Sequence, residues 1–462
     1  MARVLTRPTD AASAAAFRVL FGLVMFVAST RYLVNGWVER FFVEPSTHLK
    51  YWGFGWVQVL PPEVMHGAFV ALAVLSLMVA AGLFYRFAIA AFFLLFTYVE
   101  LIDASYYLNH YYLVSLLAGL MIVLPLNRAW SLDALRRPEI RSGTLPAWVL
   151  WLLRFQVATV YAYAAIAKVG PDWLLHGQPL GIWLAARTDT PIIGPWLDLP
   201  GVALALSWAG FLNDALAVPG LLWRRTRPYA FAMIVVFHVM TGVFFNIGMF
   251  PVIMITAATV LLSPSWPRTL LRRLGVDARA PVPGEAPLSS PSRRFRVGLA
   301  LAAAFCAVQL LVPLRSLAYP GDVLWGEQGM RWSWKVMVRE KNGSVTYHVR
   351  DPRTDRRWQV SPGEYLTRTQ QREMSGQPDL ILQLAHRIED DFRERGHDDV
   401  EVRAETRVSL NGRRAQPLVD PEVDLTRVDD GLAAAGWLAP PPEGPPAKLE
   451  RPHLATGGAG KR

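Results

Sequence analysis

The residues best suited to chemistry meet at AAIAKVGPDWL, residues 164–174, where a run of about twenty apolar residues ends on Lys168 and is followed by Gly170, Pro171, Asp172 and Trp173. Desolvation disfavours an ammonium ion, so a lysine enclosed by apolar residues can act as an amine base near neutral pH. Such a base at lipid depth suits a lipid-soluble, weakly acidic substrate, of which a quinol is the obvious example. A lysine that closes a helix can equally complement the helix dipole or reach for the interface. Its neighbours have to decide between these roles.

Ionisable groups at membrane depth are costly, so each is a functional candidate with a partner to be named. Asn109 and His110 lie in YYLNHYYLV, Asp214 in LNDALA, and His238 in FHVMTGVFFNIGMFP, which also holds Asn246, Met249 and Phe250. Met249, Phe250 and the adjacent Phe244 and Phe245 could sandwich an aromatic ring. Asp214 fits helix-to-helix hydrogen bonding as well as it fits catalysis. The nine histidines include no pair at helical ligand spacing, and there is no HExxH and no cysteine pair, so no metal site is expected. Neither a glycine-rich phosphate loop nor a serine nucleophile elbow is present.

The elements that must position these groups are membrane helices. The 462 residues are 52% hydrophobic, and the apolar residues come in blocks rather than amphipathic periods. These blocks fall at 13–34, 67–85, 87–101, 111–126, 146–167, 201–222, 228–245, 249–263 and 296–314, about nine spans. Arg18 interrupts what would be the apolar core of a signal peptide, so 13–34 reads as a retained first span. The net charge of +10 invites a nucleic-acid partner, but the arginines cluster in alternate connectors: Arg3 and Arg7, Arg86, Arg136 to Arg141, Arg224 to Arg227, and Arg268 to Arg294. That is a topology signal, and it puts the N-terminus in the cytoplasm and everything after about residue 315 outside. Lys168, Asn109, His110, His238 and Asn246 then share one depth near the outer leaflet. Depth is fixed by this argument, and lateral distance is not.

The connector 264–295 is rich in Pro, Ser and Arg and reads as a flexible loop. After the last span, WSWKVMV, SVTYHVRD and RRWQVS read as strands with a hairpin turn at Asn342-Gly343, followed by a helix over about 379–395 and another strand ending at Asn411-Gly412. The expected architecture is a multi-pass α-helical membrane protein followed by a small extracytoplasmic β-rich, sandwich-like domain. Its divisions are 1–318, 319–437 and a disordered tail over 438–462. The single cysteine, Cys306, permits no intrachain disulfide.

With these residues in view, the chain resembles the vitamin K-dependent gamma-glutamyl carboxylases of the HTTM membrane family. The resemblance runs from about residue 15 to about 430 and rests on an ordered series: FRVLFGLVMF, GLFYR, NHYYL, WSLDAL, AAIAKVGPDWL, LNDALA, FNIGMFP, SPSWPR, WSWKVMV and VDPEVDL. It implies a membrane enzyme that uses vitamin K hydroquinone, O2 and CO2 to carboxylate glutamate, with no metal. Lys168 then matches the family's hydroquinone-deprotonating lysine, His110 the histidine that steers carboxylation, and Asn109 a residue that orients glutamate. His238, Asn246, Met249 and Phe250 match the quinone-pocket stretch, and Asp172, Trp173, Asp214, Trp332 and Trp334 are supporting positions. Implied partners are membrane lipid, a reduced quinone and a glutamate-containing peptide or protein, with no nucleic acid.

Two departures stand out. Trp332 occupies a position where the family has tyrosine, and the chain ends before the animal enzymes do, so part of a propeptide-gripping surface is expected to be missing. The Ala- and Arg-rich composition looks like that of a bacterial cytoplasmic-membrane protein. A quinol epoxidase or oxygenase, acting on vitamin K or menaquinol without peptide carboxylation, is the alternative enzyme. A non-catalytic quinone- or lipid-binding membrane module is the alternative of another class.

Overall fold

Two clusters of connectors, one at each end of a helix bundle, set the frame of this computed structural model, which describes residues 2–276 and 293–447. The main helices are α1 (Ala12–Val34), α2 (Pro62–Ala81), α3 (Tyr85–Glu100), α4 (Asn109–Val123), α5 (Ala147–Ala167), α6 (Val202–Leu222), α7 (Arg227–Phe244), α8 (Phe250–Ala258), α9 (Arg293–Leu311) and α10 (Pro378–Glu394). Strands β1 (Pro8–Asp10) and β2 (Thr144–Pro146) form a short antiparallel ribbon, while β3 (Lys341–Asp351), β4 (Arg356–Val360) and β5 (Glu401–Leu410) form a three-stranded sheet in the order β4-β3-β5.

A bilayer core needs roughly 20 helical residues. Among the described residues, six helices meet that need: α1, α2, α5, α6, α7 and the stretch Arg296–Ala318. A seventh candidate is broken, because Phe250–Leu261 and Trp266–Arg273 meet at 102°. The remaining two expected spans, α3 and α4, have only 16 and 15 residues. The chain is a multi-pass membrane protein, and by length and composition its described helices support six of the nine spans read from hydropathy, or seven if the broken pair is one span.

At one end of the bundle the first strand, the α2–α3 turn and the long connector after α4 bind one another. Arg18 is fully buried there and donates to the carbonyls of Val79 at 2.7 Å and Leu126 at 3.2 Å, and also to those of Ala80 and Trp130. The charge that interrupts the apolar run thus satisfies carbonyls left open at the end of α2. Asp133, within WSLDAL, accepts from the amides of Phe84 and Tyr85, both at 2.9 Å, and so caps the start of α3. Close packing of α1 on α2 requires glycine at position 22, where a Cβ would lie 2.5 Å from the Ala80 nitrogen and the Ser76 oxygen.

The C-terminal region docks on the opposite end. Gln370 donates to Asp103 at 2.8 Å and to the Thr47 carbonyl at 2.7 Å, and Gln383 exchanges two hydrogen bonds with the Lys50 backbone, at 2.8 and 2.9 Å. The expected β-rich region is a single sheet with α10 covering one face, its core formed by residues such as Val349, Ile381, Leu384, Ile388 and Val402. Asn342-Gly343 is not a turn. Both residues lie inside β3, opposite Ser409 and Val408, and the β3–β4 connection comes ten residues later. WSWKVMV is not a strand either, because Trp332, Trp334 and Met337 have φ of 62°, 58° and 57°.

Half of the loop expected at 264–295, residues 277–292, and most of the tail, 448–462, lie outside the described residues; the described part of that loop is instead a short helix over Trp266–Arg273 and the start of α9 at Arg293. Residues 438–447 pack back on the domain: Trp325 donates to the Ala439 carbonyl at 2.8 Å and Arg413 to that of Gly444 at 2.9 Å.

Candidate active site

Helix α5 carries Tyr161, Ala164 and Lys168 on one face, since residues four and seven apart stack along a helix. Lys168 closes the helix as its C-cap residue. It is buried, and its Nζ lies 2.8 Å from Asp214 Oδ2, 3.3 Å from the Ala164 carbonyl and 3.4 Å from the Val336 carbonyl. The same Nζ sits 5.2 Å from the centre of the Trp173 ring, within cation–π range. Asp214 comes from the middle of α6, and its other oxygen accepts from Asn213 Nδ2 at 3.1 Å. The lone apolar-pocket lysine expected from the sequence is therefore an ion pair, with its carboxylate fixed by an amide.

This pair heads a cavity of about 260 Å3 walled by Tyr161, Trp173, Phe237, His238, Phe244 and Phe250. Tyr161 Oη and His238 Nε2 are 3.3 Å apart, and the ring centres of Phe250 and His238 are 5.5 Å apart. Three buried polar atoms near the cavity wall have no hydrogen-bond partner among the described residues: His238 Nδ1, Asn213 Oδ1 and Ser207 Oγ. An all-apolar cleft of about 340 Å3 adjoins it, sharing Leu206, Met240 and Phe244, and its Val239 and Val243 are exposed on the bundle surface. Aromatic walls, a few polar atoms and a lipid-facing apolar extension fit a flat ring carrying a long apolar tail.

A second cavity, of about 170 Å3 and strongly polar, lies where α4 begins. Asn109, Tyr107, Arg331, Lys335, Arg339 and Glu373 line it. Tyr107 Oη donates to Asn109 Oδ1 at 3.0 Å and accepts from the Trp332 amide at 2.8 Å. Arg339 and Lys341 both pair with Glu327, the latter at 3.1 Å, and Arg331 pairs with Asp379. Burial pushes the Lys341 amine down to about 8 even with Glu327 beside it. Burial also lowers Lys335, which makes no ion pair among the described residues.

The expected residues thus divide between two compartments. Lys168, Asp214, Trp173, His238 and Phe250 share the aromatic cavity, and Asn109 belongs to the polar one. His110 lines neither; it is buried with Nε2 unpartnered, its ring centre 5.7 Å from that of Phe250. Met249 is packed in the membrane core, Asn246 is exposed, and neither lines the cavity. Trp334 is buried and stacked on Tyr112 at 4.9 Å. Trp332 faces a separate apolar groove along α5 and α9, with Arg315 5.0 Å over its ring. Asp172 reaches away from Lys168 to the C-terminal domain, accepting from Asn411 at 2.9 Å and from Arg413 at 2.8 and 2.6 Å. Burial raises its carboxyl, but these hydrogen bonds outweigh burial and hold it below the ordinary range.

Sequence reasoning missed Tyr161, Asn213 and the cationic pocket. The seven-residue interval from Tyr161 to Lys168 was a usable signal. The cations of 331–341 were hidden by their resemblance to an exposed strand face.

No group of three or more metal-ligating side chains occurs among the described residues. Residues 6–266 match the HTTM domain, and residues 294–443 match the vitamin K-dependent gamma-carboxylase, lumenal domain. Fold and site define a membrane protein whose aromatic and polar cavities share Met337 beneath a docked domain. The chain belongs to the vitamin K-dependent gamma-carboxylase family, with an HTTM membrane part. No solved structure matches it.

Proposed function

We propose that this protein is a vitamin K hydroquinone-dependent gamma-glutamyl carboxylase, active near the outer face of a bacterial cytoplasmic membrane, with its N-terminus in the cytoplasm. The observation that carries the reading is the Lys168–Asp214 pair at the head of an aromatic cavity, next to a cationic pocket that can receive a carboxylate. Reduced vitamin K, reacting with O2 and ending as the epoxide, supplies a base strong enough to remove a glutamyl γ-proton, after which the carbanion adds CO2.

In its neutral amine form, Lys168 Nζ takes the quinol hydroxyl proton. Asp214, 2.8 Å away, stabilises the ammonium that results, and Asn213 keeps that carboxylate aimed at it. Phe250 and Phe244 hold the ring and exclude water from Nζ. In the polar pocket Lys335, Arg331 and Arg339 hold the glutamyl carboxylate, and Asn109, oriented by Tyr107, fixes its amide neighbourhood. His110 lies buried against Phe250 beside Asn109 and steers the carboxylation half of the reaction.

The test is to incubate detergent-solubilised protein with reduced vitamin K, labelled bicarbonate and a short glutamate peptide, and to measure epoxide and fixed label separately. Both should form. Lys168→Ala should lower epoxide formation by roughly 10²–10⁴-fold, the range of a general base, whereas His110→Ala should lower label fixation more than epoxide. Epoxide without label would select the quinol epoxidase. Absence of both would leave only the binding module.

A further inference from the structure

Among the residues lining these two cavities, one is common to both: Met337. On one side of it lie Lys168, Asp214 and Phe250, and on the other Asn109, Lys335 and Arg339. The preceding residue, Val336, presents its carbonyl 3.4 Å from Lys168 Nζ, so the partition is tied to the proposed base. Met337 holds φ at 57°, and Trp332 and Trp334, in the same short stretch, are left-handed as well. Bulky residues avoid that region unless the surroundings impose it. The stretch is anchored from both sides, by Trp334 buried on Tyr112 and by Val338, whose carbonyl accepts from Asn411 at 3.2 Å.

Resting on the carboxylase reading, we infer that Met337 is the septum across which the two half-reactions are coupled, and that it determines how much of the base reaches glutamate. The thioether suits this position chemically. It has no O–H or N–H, so it cannot protonate a strong base on either side. It is also flexible and polarizable enough to close the gap against water while leaving both ligands in contact with it. A water molecule admitted here would protonate the base in place of the glutamyl γ-C–H, so no carbanion would form to add CO2. Epoxide would still form, and the glutamate would stay unmodified. The septum therefore controls the ratio of epoxide to carboxylated product, without a necessary effect on the rate at which epoxide appears.

Three variants separate this role from simple packing. Met337→Leu keeps volume and has no donor, and should keep the wild-type ratio of epoxide to fixed label. Met337→Gln keeps nearly the same length but adds an N–H donor, and should raise the ratio at least fivefold, whatever the change in the rate of epoxide formation. Met337→Ala opens the wall and should raise it as much or more. Thermal melting identifies any variant that fails to fold, and Met337→Gln then decides the matter alone. If the ratio is unchanged in the Gln and Ala variants, or if both products fall in parallel, the septum is wrong while the carboxylase reading stands. If wild type fixes no label, that reading has failed and the septum falls with it.

Discussion

At the scale of single residues, the ion pair of Lys168 with Asp214 raises the question of what each charge does for folding and what it does for chemistry. Removing one member of a buried pair leaves the other uncompensated, a loss of about 3–5 kcal/mol, whereas replacing both by apolar groups is close to neutral. Asp214→Leu alone should therefore lower the melting temperature markedly. The double variant Lys168→Met/Asp214→Leu should recover most of it and still form no epoxide. Stability recovered together with activity would show that the pair is structural only. The sequence pointed to Lys168 and to Asp214 separately, from the cost of charge at membrane depth, but could not join them. They are 46 positions apart on different helices, and hydropathy carries no lateral distance.

At the scale of elements, the Lys168 helix is held to the soluble domain through the turn that follows it. Arg413 makes a two-pronged contact with Asp172, and Asn411 ties the same carboxylate to the Val338 carbonyl, so the end of α5 and the septum stretch share one anchor. Charge-assisted hydrogen bonds contribute roughly 1.5–3 kcal/mol when buried; this one is partly exposed, so Arg413→Ala should cost about 1–2 kcal/mol. It should also speed hydrogen exchange over 333–341. Because the Asp172 carboxyl is depressed in the fold, its contribution is complete above its ordinary value of 3.8 and disappears as pH falls through the lower folded value. Melting curves on acidification should show that loss in wild type and a smaller one in Arg413→Ala, where Asn411 still holds the carboxylate. The two Asn-Gly pairs show how far local signals reach. Asn411-Gly412 does turn, with φ of 48° and 86°. At Gly343 a side chain would meet Val408 Cγ2 at 2.8 Å, so that glycine serves close strand approach, and pairing with β5 overrides the turn.

At the scale of the whole molecule, the two cavities differ in lining, one polar and walled in part by the docked domain, the other aromatic and adjoining an all-apolar cleft. Hydropathy blocks showed the bilayer part and the composition shift showed the soluble part, while two of the nine expected spans, α3 and α4, are shorter than a bilayer crossing. Short helices such as α3 and α4, and a chain bent by 102° after α8, give apolar windows like those of full spans. The lipid-side mouth has a consequence that distinguishes ring from tail. Val243 is exposed on α7 and lines the cleft but not the ring cavity. Val243→Trp should fill the cleft while leaving Lys168, Asp214 and Phe250 untouched. A quinol with a long isoprenoid tail should then show a KM raised about tenfold, equivalent to roughly 1.4 kcal/mol of lost tail contact. A tail-less naphthohydroquinone should be affected less than twofold, because its ring is held entirely by the aromatic walls. The KM for the glutamate peptide should not move, since that ligand arrives through the aqueous pocket on the far side of Met337. Equal losses for the long and short quinols would mean that the tail takes another route, and the groove beside Trp332 along α5 and α9 would then be the path to test.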